Sequence, residues 1–115
     1  MEPALEKILN LLLESERAGV ATLDVLAGQV KSEELKQLLV TSREDENETV
    51  RALEQLIRSN GGTPSDKTGP FAARVVAAGN PREQLNLLIR GEEWVTRKVE
   101  EALGLAPQVA RSTST

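Results

Sequence analysis

The 115-residue chain has no cysteine, no histidine and no tyrosine, and one residue each of phenylalanine, tryptophan and methionine. Without cysteine there is no disulfide, no thiol nucleophile and no thiolate metal ligand. Without histidine there is no imidazole acid–base chemistry, no Ser-His-Asp triad and no histidine metal site. Any metal would need an all-oxygen shell. Aromatic residues make up 2% of the chain, so the core must come from Leu, Val, Ile and Ala, which suits packed helices better than strands. The net charge is −4 and the basic residues are scattered, with no basic stripe interleaved with aromatics, which argues against nucleic acid as a partner. No apolar run approaches the roughly 20 residues of a membrane-spanning helix. The acidic start M-E-P-A-L-E-K lacks the basic, then apolar, pattern of a signal peptide. The expectation is a cytoplasmic protein with no membrane role.

What is present is a foldable composition, 39% hydrophobic and 28% charged, of a length that suits one domain. Pro3 opens a first helix whose apolar positions, Leu5, Ile8, Leu9, Leu12, Gly19, Leu23, Leu26 and Val30, keep the three-and-four spacing of one buried face. Ser32 is the expected cap of a second helix, with Glu33 and Glu34 at its positive end, and Asn60-Gly61-Gly62 stops it. Thr63 to Pro70 reads as a loop, Phe71 to Ala78 as a short helix, and Gly79-Asn80-Pro81 as the break before a last helix ending at Gly104, with Asn80 as its cap and Pro81 in its first turn. The expected architecture is all-α: an antiparallel bundle of three long helices and one short one over residues 1–104, followed by a mobile tail over 105–115.

The second helix contains R-E-D-E-N-E-T-V, Arg43 to Val50, with acids at Glu44, Asp45, Glu46 and Glu48. Continuing the apolar stripe from Leu35 and Leu38 through Ser42 to Thr49, Leu53 and Leu56 lands on Glu46, places Glu44 and Glu48 on other faces, and leaves Asp45 at the border. The same step puts Glu16 in the seam of the first helix and Glu92 in the seam of the last, between Leu88 and Val95. An unpaired buried carboxylate is costly, so each of the three needs a cation, a proton or a donor. Three readings stand side by side. The glutamates pair with Arg17, Arg43, Arg90 and Arg97 on the same helices; they form a carboxylate metal site; or they line a polar, ligand-binding core. Bundle metal centres take a Glu from each of two helices and Glu-x-x-His from two others. Here Glu46-Asn47-Glu48-Thr49 has that spacing with Thr49 in the histidine position. Trp94 is expected to be a packing anchor. The Gly61-Gly62-Thr63-Pro64-Ser65 run lacks phosphate-loop spacing and reads as a cap and turn.

Three segments together resemble an uncharacterised bacterial family of ferritin-like helical domains. They are Glu14-Ser15-Glu16-Arg17-Ala18-Gly19 with Glu44-Asp45-Glu46, then Gly61-Gly62-Thr63-Pro64-Ser65 with Lys67-Thr68-Gly69 and Phe71, and Arg90-Gly91 followed by Trp94-Val95-Thr96-Arg97-Lys98. The resemblance covers roughly residues 5 to 103. It implies a ferritin-like bundle and, by wider analogy with ferritins and rubrerythrins, a di-iron carboxylate centre with Glu16, Glu46 and Glu92 as candidate ligands of iron or manganese. The chain departs from that pattern at Thr49 and in lacking the further helix that follows the Trp-containing one. A bundle short of a helix leaves an apolar seam that a homodimer would cover. Two functions follow as expectations. One is a non-enzymatic ferritin-like protein, without a complete di-iron site, that acts by self-association or partner binding. The other is a metal-binding relative whose carboxylate site is completed across a homodimer.

Overall fold

The computed structural model describes residues 1–105, apart from the side chains of Ala72, Val76, Pro81, Leu85, Leu88 and Leu105. It is all-α. Helix α1 spans Pro3–Gln29, α2 Glu33–Ser59, α3 Phe71–Ala78 and α4 Pro81–Leu105. An all-helical chain is what the sequence pattern predicts. Leu105 closes α4 rather than opening a tail, and the expected tail beyond it lies outside the described residues. No helix among the described residues is long and apolar enough to cross a membrane.

The helix ends follow their local chemistry. The Glu2 carboxylate accepts from the backbone N–H groups of Ala4 and Leu5, both at 3.0 Å, ahead of Pro3, which brings no N–H of its own to satisfy. Ser32 Oγ accepts from Leu35 N, and Asn80 Oδ1 from Glu83 N, so both expected caps form. At the end of α2, Gly62 N donates to Ile57 O at 2.9 Å and Gly61 N to Arg58 O at 3.1 Å. That double bond pattern needs a left-handed residue, and Gly61 takes it with φ of 82°.

Helix α1 is the axle. It packs against α2, α3 and α4, and α3 packs against α4, whereas the backbone of α2 makes no close approach to that of α3 or α4 among the described residues. A core of Ile8, Leu9, Leu12 and Leu13 from the start of α1 meets Val50 and Ile57 from the end of α2, so the two helices run antiparallel. Val95 and Ala102 of α4 pack against the same cluster. Because α1 is covered from several sides, its buried set is broader than one stripe and takes in Ala18, Thr22 and Ala27 as well. Thr22 is accommodated because its hydroxyl donates to Ala18 O at 2.8 Å.

Helix α2 departs from the expected stripe. Its inner face runs Arg43, Glu46, Val50, Leu53 and Ile57, not through Thr49 and Leu56, which are exposed. Leu35 and Leu38 are exposed too, Leu38 by 63%. The physical reason is that leucine spacing marks an apolar face without saying which element covers it. The first turns of α2 lie alongside the end of α1, where Gly28 and Gln29 are themselves exposed, and no other described helix reaches them.

The 63–70 segment is strapped along α1. Asn10 Nδ2 donates to Thr63 O and Asn10 Oδ1 accepts from Ser65 N at 2.6 Å; Glu6 Oε1 accepts from Thr63 N at 2.7 Å. Arg17 donates to Ser65 O at 2.6 Å and to Lys67 O at 2.9 Å, and Gly69 N reaches Glu14 O. A loop with no strand or helix of its own thereby satisfies its backbone groups against one helix.

Candidate carboxylate cavity

Of the four acids in the Arg43–Val50 run, Glu44, Asp45 and Glu48 are exposed and only Glu46 is half-buried on the inner face of α2. Its side chain crosses to α1 at Gly19, the one position on that turn where no Cβ stands in the way. Glu16, three residues earlier on α1, is also half-buried, and Glu92 approaches from α4, where it stays exposed to solvent. All three line one cavity of about 320 Å³ bounded by α1, α2, α4 and the strap residues Gly69 and Pro70. The cavity's aromatic walls are Phe71, the first residue of α3, and Trp94 of α4.

The electrostatics are those of crowded, unneutralised acids. Burial raises the pKa of Glu46, and the charges of Glu16 and then Glu92 add to it, bringing it from an ordinary 4.5 up to about 7. Burial, then the Glu92 charge, raises Glu16 as well. Glu46 Oε2 is buried with no hydrogen-bond partner. The expected pairing with arginines does not form. Arg17 turns to Glu54 and to the strap carbonyls, and Arg43 pairs with Asp24. None of the ion pairs among the described residues involves Glu16, Glu46 or Glu92. Arg43 takes the exposed Asp24 and Arg17 the half-buried Glu54.

A di-iron centre does not fit the donor set within one chain. Thr49, in the position of the ferritin-type histidine, is exposed, and its hydroxyl donates to Asp45 O instead. Among the described residues no three acids come close enough together to share a metal ion. Glu16, Glu46 and Glu92 therefore share a cavity and feel one another's charge without forming a coordination shell.

Sequence reasoning brought out these three glutamates and Trp94. It missed the strap ligands Glu6 and Asn10, and the place of Phe71, with Trp94, in the lining of the cavity. Asn10 sits on a helix four residues from Glu6, so both face one side of α1, but nothing in that spacing names the loop they hold. Trp94 is half-buried, with Lys98 Nζ 5.7 Å from the ring centroid.

The fold and this cavity define an all-helical domain built around one central helix. The chain belongs to the family described as a domain of unknown function, DUF6306, whose model matches residues 4–114. No curated protein and no solved structure matches it.

Proposed function

We propose that this chain is a non-enzymatic, ferritin-like helical protein that works by self-association, with a second copy of the chain covering the side left open between α2 and α4. The observation that carries this reading is the apolar surface on two helices whose backbones do not come close among the described residues. At about 100° per residue, Leu35, Leu38 and Leu56 fall within about 60° of one another on α2, and Ile89, Val99 and Leu103 within about 80° on α4. All six are exposed, from 43% at Val99 to 66% at Leu103. Scattered exposed leucines are ordinary, whereas aligned ones on neighbouring helices form a surface that association buries. A second copy presents the same two stripes, and a two-fold axis sets α2 of one against α4 of the other.

The absence of an imidazole from the sequence and of a three-acid shell among the described residues argues against di-iron catalysis within the monomer. A carboxylate metal site completed across the dimer is the second reading, and it draws on the unneutralised Glu16, Glu46 and Glu92. Light scattering of the untagged protein, with its metal content measured by elemental mass spectrometry, tests both. A dimer mass that falls to a monomer in Leu38→Glu, with no stoichiometric metal, is the expected result. A monomer at all concentrations contradicts self-association. Stoichiometric iron or manganese in the dimer, lost in Glu46→Gln, replaces the first reading with the second.

A further inference from the structure

The cavity between α1, α2 and α4 holds chemistry that self-association does not use. Four carboxylates line it, Glu14, Glu16, Glu46 and Glu92, against two guanidiniums, Arg74 and Arg90. Among the described residues none of the three central acids is in an ion pair, and Arg17 and Arg43 pair elsewhere. The rest of the lining is mainly apolar, with Phe71, Trp94, Leu11, Leu87 and Val95. A volume of about 320 Å³ is at the lower end of small-molecule pockets, which are mostly apolar with a few convergent polar groups.

We infer that this cavity binds a small organic cation, a protonated primary amine carried on an apolar body, with the ammonium among Glu16, Glu46 and Glu92 and the body against Phe71 and Trp94. Each element of that ligand answers a feature of the walls. The excess of carboxylate selects positive charge. Carboxylates accept hydrogen bonds and donate none, so an ammonium with three N–H groups serves several of them at once, which a quaternary ammonium does not. Aromatic faces attract cations and bury hydrocarbon, so the two rings suit both ends of such a molecule. Among the described residues no three acids form a shell that could hold a metal ion, whereas an ammonium, whose hydrogen bonds are longer and less exacting in geometry than metal–oxygen bonds, needs no such shell. The shape of the cavity depends on the strap, because Gly69 and Pro70 form part of its wall and Arg17 and Asn10 hold the strap in place. Arg17 is thus a positioning residue for the pocket.

Trp94 is the chain's single tryptophan and stands in the cavity wall, so its fluorescence reports on occupancy. The full chain is titrated at pH 8 with cyclohexylmethylammonium, with cyclohexylmethanol as the neutral isostere and manganese(II) as the inorganic competitor. The expected result is saturable binding of the amine, at least about tenfold tighter than of the alcohol, and weakened about tenfold or more in Glu16→Gln/Glu92→Gln, as the loss of charge-assisted hydrogen bonds requires. Circular dichroism checks that the variant folds, and Glu33→Gln, at the far end of α2, serves as the control that keeps full affinity. Equal binding of amine and alcohol overturns the inference, because it makes the cavity merely apolar. No saturable binding of the amine overturns it, and so does stoichiometric manganese that blocks the amine. The oligomer mass is read separately, so failure here leaves the self-association reading standing, and the reverse.

Discussion

Glu46 of α2 lies directly over Gly19 of α1. A Cβ at position 19 would overlap Glu46 Oε2 and come within 3.1 Å of Glu46 Cδ. This relationship ties the one inward acid of α2 to a glycine in the middle of a helix, where glycine ordinarily costs about 1 kcal/mol relative to alanine. The two positions are therefore coupled. Gly19→Ala is expected to lower stability by about 1 kcal/mol in the native chain, because the overlap outweighs the gain in helix propensity. In a Glu46→Ala background the same substitution is expected to raise it by about 1 kcal/mol. Urea unfolding of the four proteins in this double-mutant cycle measures the coupling, and additive effects would count against it.

The pH dependence of stability follows from the raised pKa of Glu46. The folded state holds this proton up to about pH 7, whereas the unfolded chain releases it near 4.5. Between those values the folded state binds more protons, so its stability falls as pH rises through that window and levels off above it. The Glu46 carboxyl is part-exposed, so solvent screening trims the effect to about 1–2 kcal/mol. Glu16, raised for the same reasons, acts in the same direction. Glu46→Gln is expected to flatten most of this slope and to make the protein more stable than the native chain at pH 8. A profile that climbs between pH 5 and pH 8 would show that the acids are neutralised after all.

Arg17 anchors the strap through two carbonyl oxygens, Ser65 O and Lys67 O, and its other amino group stands 3.6 Å from Glu54. Arg17→Ala removes two charge-assisted bonds, the one to Ser65 O part-buried and the one to Lys67 O exposed, and is expected to cost about 2 kcal/mol. Arg17→Lys should recover only part of that, since Nη1 donates to both carbonyls while Nη2 faces Glu54, and a lysine offers a single nitrogen for all three. Amide exchange across residues 63–69 should speed up in both variants. If it speeds up no more than exchange in α3 does, the strap is held by Asn10 and Glu6 alone.

The helices, their caps and the breaks between them were legible in the sequence because each rests on local chemistry. Ser32 and Asn80 cap where they were expected to, and Gly61 takes the left-handed turn that ends α2. The inward acid of the Arg43–Val50 run was legible too, because Glu46 is separated from Val50, Leu53 and Ile57 by helical steps of four and three. What periodicity could not supply was the neighbour of each face. Leu35, Leu38 and Leu56 have the right spacing for a seam and lie exposed, while Val50 and Ile57, one position on from Thr49 and Leu56, take the buried places. The partners of the arginines were hidden for the same reason. Arg17 and Arg43 share helices with Glu16 and Glu46, but their side chains find Glu54 and Asp24 instead. Long-range contacts such as Asn10 with Ser65 carry no local signal at all.

Self-association through the open side of the bundle is the central claim, and oxidative footprinting of the side chains measures it most directly. Hydroxyl-radical labelling reads the solvent exposure of individual leucine, isoleucine and valine side chains. Across a protein concentration series, labelling of Leu35, Leu38 and Leu56 on α2 and of Ile89, Val99 and Leu103 on α4 is predicted to fall together as the dimer forms. Labelling of Leu13 and Ile57, buried in the single chain, should stay low throughout. Labelling of the six exposed residues that does not change with concentration, or protection confined to another face, would contradict the account.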